Sequence, residues 1–200
     1  MHATMDLPPD YHHQKTLDLS KPNVVLALNL AAIPLLFISG WLFGHVINFL
    51  RPFTPFPKGI IGFLSLYSVV GLLAFPLSII LVLVLHELIH GFFFWLFTRE
   101  RPRFALKSGY AFAAAPNWFL PGAQYIVVGI SPIVVISIAS ILLAWVVVSG
   151  LVPYLLFIAT FNAAGALGDL LVVAWVLKQP KSILVKDEGD TFSSYAPGIN

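Results

Sequence analysis

The chain has 200 residues, of which 58% are hydrophobic and 10% are charged, and its formal net charge is +2. An average globular protein carries about 25% charged residues, so this composition indicates a polytopic membrane protein rather than a soluble domain. The net charge is too small to suggest a nucleic-acid partner. The absence of cysteine excludes disulfide bonds and any cysteine-based zinc or redox site. Metal ligands must therefore come from His, Asp, Glu or Asn.

The N-terminal segment is polar and precedes the first apolar run. Residues 1–22 contain three prolines and five charged side chains. They predict a mobile or interfacial tail, and no cleavable signal peptide is expected. The histidines in this tail, His2, His12 and His13, are expected to be solvated, with a weak accessory metal site as the alternative. Residues 24–49 exceed the roughly 20 residues that a bilayer span requires, and they predict the first transmembrane helix.

The second apolar region, residues 59–97, is too long for one straight span at about 1.5 Å per residue. Pro76 is predicted to divide it, because proline removes a helical hydrogen bond and clashes with the preceding turn. Residues 77–97 are long enough for a full span, whereas residues 60–75 are short for one. We interpret residues 60–75 as an interfacial, re-entrant or kinked extension.

The sequence His86-Glu87-Leu88-Ile89-His90 lies within this region. Two histidines four residues apart lie on one face of a helix, so both imidazoles can bind the same metal ion. Glu87 is placed to polarise a water on that metal without being a ligand, as in the His-Glu-x-x-His zinc hydrolases. The alternative is a set of buried polar residues that bond neighbouring helices. Ionisable side chains at membrane depth are costly, however, and by default they are functional.

The long polar connection that follows contains two short segments with strand character. Residues 103–107 and 110–114, joined by Ser108-Gly109, predict a β-hairpin. A hairpin beside an active site would offer an edge to which an extended peptide could add as a further strand. An ordinary connecting loop is the alternative.

Two further apolar runs, residues 125–148 and 154–177, predict the last two spans, and the short turn between them makes them antiparallel. The predicted fold is an all-α polytopic membrane protein with about four transmembrane helices and a short β-hairpin after the histidine-bearing helix. Its predicted parts are a polar tail at residues 1–22, a membrane-embedded, metalloprotease-like domain at residues 23–178 and a flexible tail at residues 179–200.

Basic residues are distributed unevenly among the predicted loops. Only Arg51 and Lys58 lie on one side of the predicted membrane. The other nine lie in the two tails and the long loop: Lys15, Lys21, Arg99, Arg101, Arg103, Lys107, Lys178, Lys181 and Lys186. Because positive residues concentrate in cytoplasmic segments, this distribution predicts that both termini are cytoplasmic.

A third metal ligand is needed, because catalytic zinc usually has three protein ligands and one open position. Apart from Glu87, Asp169 is the only carboxylate within a predicted span. His90 lies eight residues before Thr98, and Asp169 lies nine residues before Lys178. At ~1.5 Å per residue, both therefore lie about 12–14 Å inside the same membrane face. We expect Asp169 to be the third ligand, with a structural hydrogen-bonding role as the alternative.

Asn162 lies seven residues before Asp169, two helical turns away on the same face. Its amide could bind a substrate carbonyl or steady a helix contact. Gly165 and Gly168 lie between the two residues, and they would allow close approach of another helix or of a substrate backbone.

Four stretches of the sequence together resemble a known family. They are the His-Glu-x-x-His sequence in an apolar span, Tyr-Ala-Phe-Ala-Ala-Ala-Pro-Asn-Trp-Phe from Tyr110, Gln124-Tyr to Ser131-Pro132, and the segment from Asn162 to Asp169. These stretches resemble the zincin-peptidase family of small bacterial membrane proteins, over about residues 70–178. That family is similar to the site-2 protease class of intramembrane metalloproteases.

The resemblance implies a zinc ion held by His86, His90 and Asp169, with Glu87 as the catalytic residue. It also implies a substrate-binding role for Asn162 and a location in the bacterial cytoplasmic membrane. The site-2 class typically has Asn-x-x-Pro followed by Leu-Asp-Gly. Here Gly165 replaces the proline, the order is Gly168-Asp169, and the spacing from Asn162 is one residue shorter.

The sequence therefore predicts an intramembrane zinc metalloprotease whose substrate is a membrane protein or peptide within the lipid bilayer. The first alternative is a metal transporter or a metal-binding membrane protein without hydrolytic activity, since intramembrane His and Asp also line ion pathways. The second alternative is an inactive relative that holds membrane partners. The substrate and the oligomeric state are left open by the sequence.

Overall fold

The computed structural model describes residues 2–52, 69–107 and 110–198. Within these ranges the chain forms five α-helices and six β-strands. The helices are α1 (Pro22–Leu50), α2 (Val69–Thr98), α3 (Gly122–Val146), α4 (Val152–Gly165) and α5 (Leu167–Leu177), with a 3-10 turn at Ser149–Leu151 before α4. The strands are β1 (Tyr11–Asp18), β2 (Arg103–Lys107), β3 (Tyr110–Ala114), β4 (Phe119–Pro121), β5 (Leu184–Asp187) and β6 (Thr191–Pro197).

The chain divides into two compact units. Unit 1 comprises Met1–Leu30, Glu87–Pro132 and Ala166–Asn200, and unit 2 comprises Ala31–His86 and Ile133–Gly165. The boundary crosses α2 between His86 and Glu87, so this one continuous helix contributes residues to both units.

Three of the described helices are long and apolar enough to cross a membrane: Pro22–Leu50, Pro76–Thr98 and Gly122–Val146. The expected fourth span is broken. The segment Ser149–Gly165 and the helix Leu167–Leu177 form a pair bent by 45°, which makes a fourth crossing only if the pair counts as one span. The break falls directly after Gly165, a residue type that stabilises a helix interior poorly. About four transmembrane helices were predicted, and the described residues contain three, or four crossings if the bent pair is one span.

Helix α2 continues through Pro76, which was expected to divide the second apolar region. The helix begins at Val69, so part of the predicted extension over residues 60–75 belongs to α2, and residues 60–68 lie outside the described ranges. A proline within a helix removes one hydrogen bond, and the chain tolerates this loss when the rest of the helix is strongly apolar and supported.

The predicted β-hairpin is present. Strands β2 and β3 pair antiparallel with Arg103 opposite Ala114 and Lys107 opposite Tyr110. The hairpin packs on α2 one residue after His90, since a Cβ added at Gly91 would lie 3.2 Å from Cγ of Pro102 and would also clash with the Phe104 ring. The hairpin therefore lies directly beside the histidine-bearing segment of the helix.

The prediction of an all-α fold was wrong, because both polar tails form strands. In addition to the hairpin, a four-stranded antiparallel sheet has the order β1-β6-β5-β4. The N-terminal strand β1 pairs along β6, with Tyr11 opposite Pro197 and Asp18 opposite Thr191. Residues 1–22 were predicted to be a mobile or interfacial tail and residues 179–200 a flexible tail, because both segments are polar. Each tail is instead ordered by a partner more than 170 residues away.

The hydrophobic core of unit 1 lies where this sheet meets the helices. Phe94 of α2, Val128 of α3 and Val176 of α5 are buried together with Leu120 and Val185 from the sheet. Strand β6 buries alternate residues, Phe192, Ser194 and Ala196. This period-two pattern identifies a strand with one covered face. The sheet thus covers the ends of the helices that carry the site residues.

Unit 2 contains two smaller cores and a charged cap. Phe43 packs with Ala159 and Ala163, and Ile47 packs with Ala144 and Val152. Arg51 donates from Nη1 to the carbonyl oxygens of Ala144 at 3.1 Å and Val147 at 2.5 Å. A guanidinium at this position satisfies carbonyls that the last turn of a helix leaves unpaired.

A glycine sets the spacing between α3 and α5 in unit 1. A Cβ added at Gly129 would lie only 2.6 Å from Cγ2 of Val173. We expect Gly129→Ala to lower the free energy of unfolding by about 1–3 kcal/mol, because extra atoms in a packed contact force a backbone shift. Thermal unfolding in detergent measures the loss. Gly44→Ala in α1 is the matched control, because a Cβ at Gly44 would meet nothing within 4 Å. Equal melting temperatures for the two variants would contradict this packing.

Candidate metal centre

The two histidines of the His-Glu-x-x-His sequence lie one turn apart on helix α2. With Asp169 they form a group of potential metal ligands. One donor atom from each of His86, His90 and Asp169 lies within 4.8 Å of the others. The structure thus brings together the three residues that the sequence predicted to lie close to one another.

His90 is the most buried of the three, at 7% exposed. Its Nδ1 donates to the backbone carbonyl of Val128 in α3 at 3.0 Å. Its Nε2 lies 3.4 Å from Oδ1 of Asp169. The hydrogen bond at Nδ1 fixes the orientation of the ring and the tautomer in which Nε2 is the metal-binding nitrogen.

His86 is held in a similar way by the side chain of Asn162. Its Nδ1 donates to Oδ1 of Asn162 at 2.9 Å, and Asn162 is 1% exposed. The predicted substrate-binding role of Asn162 stays a prediction. Its position gives it a direct contact with a predicted metal ligand, and the sequence alone did not indicate that contact.

These residues fit a zinc ion. Neutral imidazole and carboxylate are ordinary zinc ligands, and two His with one carboxylate is the ligand set of several catalytic zinc sites. Metal-binding histidines characteristically donate their second ring N–H to a carbonyl or carboxylate oxygen. Both histidines do so here, one to an amide oxygen and one to a backbone carbonyl.

Asp169 lies in the first turn of α5, immediately after the break that follows Gly165. The positive end of the helix dipole favours an ionised carboxylate at this position. A Cβ at Gly165 or Gly168 would meet no described atom within 4 Å. Within the described residues these glycines therefore do not serve a close helix contact, and space is open beside them.

Glu87 follows His86 directly, on the same turn of α2, and its side chain is half-buried. A glutamate at this position is next to the ligand set without belonging to it. This arrangement is suited to a residue that takes up and releases a proton beside a metal.

The sequence did not indicate a third acidic side chain, in addition to Asp169 and Glu87, close to the site. Asp187 of β5 is 3% exposed, and it accepts a hydrogen bond from the Tyr125 hydroxyl at 2.7 Å. Burial raises the pKa of the Asp187 carboxyl to about 6, while the hydrogen bonds from Tyr125 and Gly189 act to lower it. Asp187 was predicted to lie in a flexible tail. Only the pairing of β5 with its neighbouring strands brings Asp187 close to the site.

The described residues thus define a mainly helical protein with long apolar helices and one group of side chains placed to hold a metal ion. The two histidines of this group lie on α2 and the aspartate lies on α5. The family described as "Putative zincin peptidase" matches residues 79–184, which is more than half of the chain. The chain belongs to this family. The matched residues contain His86, His90 and Asp169, and they end before Asp187.

A curated protein of Pyrococcus woesei, named "Uncharacterized 24.7 kDa protein in gap 5'region", is 32% identical to this chain over 124 residues. The aligned part covers 60% of this chain and 54% of that protein. The chain therefore spans about half the length of the curated relative that it matches. None of the solved structures matches this chain.

Proposed function

We propose that this protein is an intramembrane zinc metalloprotease of the site-2 type, which hydrolyses a peptide bond in or near a transmembrane segment. The observation that carries the proposal is the grouping of His86, His90 and Asp169 donor atoms within 4.8 Å on helices of apolar sequence. Such a group is costly at membrane depth, and a function is the default explanation for it.

His86, His90 and Asp169 would hold the zinc ion. When bound, the ion supplies a Lewis acid for the attacking water and for the scissile carbonyl. Glu87 takes the proton from the attacking water and delivers it to the leaving amine, so the amine departs as a neutral group. Asn162 and the Val128 carbonyl keep the two imidazole rings oriented, which preserves the ligand geometry throughout the reaction.

The outer face of α2 supports a membrane location. A stripe of large apolar side chains with helical spacing is exposed along this helix: Leu77, Leu81, Leu85, Leu88 and Phe92. Lipid would solvate such a stripe, whereas His90 on the same helix is buried. The excess of basic residues in the tails and the long loop supports a cytoplasmic location of both termini.

The substrate would be a membrane-protein segment that unwinds locally, because a helix hides its peptide bonds within its own hydrogen bonding. The β2–β3 hairpin lies next to the His90 turn of α2, where it could guide an extended segment. Lipid and the substrate are the proposed partners, with no nucleic acid among them.

Transport of metal ions is the alternative function. An ion pathway needs polar side chains at several depths. Within residues 2–52, 69–107 and 110–198, His86, His90 and Asp169 are the only group of three or more His, Asp or Glu side chains placed to hold a metal. A single compact group of potential ligands therefore favours a catalytic metal site over an ion pathway.

Cleavage in liposomes tests the proposal. The purified full chain would be reconstituted with a panel of fluorescently labelled single-span membrane proteins, and products would be measured by gel electrophoresis. We expect cleavage of at least one of them, its loss on treatment with 1,10-phenanthroline and its recovery on addition of zinc. Zinc flux into the liposomes without cleavage of any panel member would overturn the proposal in favour of transport.

A further inference from the structure

We propose that Asp187 and Tyr125 are positioning residues of the metal centre, which act through helix α3 on the orientation of His90. This inference rests on the proposed function, since it concerns the same zinc site. It adds the C-terminal strand β5 to the parts of the chain that the site requires, although the residues matched by the family end before Asp187.

Asp187 and Tyr125 form a buried pair. The Tyr125 hydroxyl donates to Oδ2 of Asp187 at 2.7 Å, and the Gly189 amide donates to Oδ1 at 2.7 Å. The side chains are 5% and 3% exposed for Tyr125 and Asp187. A buried carboxylate is costly unless its oxygens are bonded, and both oxygens are bonded here. The pair therefore fixes the start of α3 to the turn between β5 and β6.

Tyr125 is connected to the metal centre in two ways, through its own helix α3 and through α2, which its ring contacts. Val128, three residues later in α3, accepts the hydrogen bond from Nδ1 of His90. The Tyr125 ring packs against Phe94, one turn after His90 in α2, with 6.4 Å between ring centroids. The tyrosine thus holds the position of the α3 carbonyl relative to the His90 turn.

The turn that presents Asp187 depends on a glycine. Gly189 has a φ of 104°, a conformation that other residues adopt only with strain. A Cβ added at Gly189 would lie 2.6 Å from Cδ2 of Phe112 in β3. Its φ angle and the Phe112 ring therefore hold the Gly189 backbone in the position from which its amide donates to Asp187.

Zinc affinity tests the inference. The full chain in detergent would be titrated with zinc against a chromophoric chelator for the wild type, Asp187→Asn, Tyr125→Phe and the double variant. We expect each single variant to bind zinc about 10–100-fold more weakly, the loss typical of partners that orient a ligand. The double variant should be no weaker than the worse single variant, because both changes break the same contact.

Two further measurements separate positioning from general stability. Cobalt(II) replaces zinc as the probe, and its visible absorption bands should shift in Tyr125→Phe and Asp187→Asn, because ring orientation changes the ligand field. Glu188→Gln is the matched control on the same turn, since Glu188 is exposed and pairs only at the surface with Lys186 at 3.3 Å. We expect wild-type affinity and wild-type spectrum from this control.

The outcomes are distinct. Zinc affinity within threefold of wild type and unchanged cobalt bands in Tyr125→Phe would overturn the inference and leave the proposed function standing. Tyr125→Phe removes a single oxygen atom, so it decides the question even if Asp187→Asn does not fold. A wild-type chain that binds neither zinc nor cobalt would overturn the metal centre itself.

Discussion

Replacement of Glu87 by glutamine is expected to reduce peptide cleavage by about 10²–10⁴-fold, the contribution that a positioned general base typically makes. Glutamine has nearly the same shape but cannot accept the proton of the attacking water. The proposed metal ligands on either side, His86 and His90, are untouched by the change. The variant should therefore retain about one zinc ion per chain, as a single three-ligand site requires.

The measurement combines cleavage of a membrane substrate in liposomes with metal analysis of the same preparation. Glu188→Gln is the control, because it makes the identical change at a half-exposed side chain in the turn after β5. It should cleave at the wild-type rate. Full cleavage by Glu87→Gln would refute the general-base role. Loss of zinc from this variant would instead make Glu87 a contributor to metal binding.

Removal of a metal ligand should have the largest effect on zinc content. We expect Asp169→Asn and His90→Ala each to weaken zinc binding by more than about 100-fold, beyond the loss caused by partners that only orient a ligand. The reason is that His90→Ala removes one of three donor atoms that lie within 4.8 Å of one another, and Asp169→Asn removes the negative charge of another. Metal analysis after dialysis against a defined zinc buffer measures the loss.

Asp10→Asn provides the matched control for charge, because Asp10 is an exposed carboxylate before β1. It should leave zinc content unchanged. If zinc is lost from His90→Ala but retained in Asp169→Asn, the third ligand must be a residue other than Asp169. Retention in both variants would place the metal elsewhere in the chain.

The helix and the two histidines were predictable because the chemistry is local. Spacing of four residues places His86 and His90 on one face of any helix, whatever surrounds it. The alternating segments at residues 103–107 and 110–114 predicted a hairpin that the structure contains. Asp169 was selected because it is the only carboxylate in a predicted span other than Glu87, and its predicted depth matched that of His90. In the structure its Oδ1 lies 3.4 Å from Nε2 of His90.

The partners that orient the ligands could not be predicted in this way. The Asn162 contact with His86 joins residues 76 positions apart, and the Asp187 contact with Tyr125 joins residues 62 positions apart. Asn162 was interpreted as binding substrate or steadying a helix contact, because it lies two helical turns before Asp169 on the same face. Asp187 was assigned to a flexible tail because the segment after Lys178 is polar and acidic. Its burial depends on pairing that no local pattern reveals.

The same limit explains the error in fold class. Strands β5 and β6 are short, and β1 is polar, so none of them shows the hydrophobic run that predicts a stable strand. Their order depends on pairing between the two ends of the chain, with β1 beside β6. Hydrogen bonds between distant strands satisfy polar backbone that would otherwise be solvated, and burial of Leu184 and Val185 stabilises the sheet.

The apolar helices, the hairpin and the two histidines with their glutamate could be predicted, because each depends on periodicity within about 30 residues of chain. Three features became visible only in the folded chain: the sheet that the tails form, the break in the last apolar segment before Asp169, and the hydrogen bonds of Asn162 and Val128 to the histidines. These features arise from contacts between distant segments. Their free energy comes from packing and hydrogen bonding that form only when the whole chain has folded.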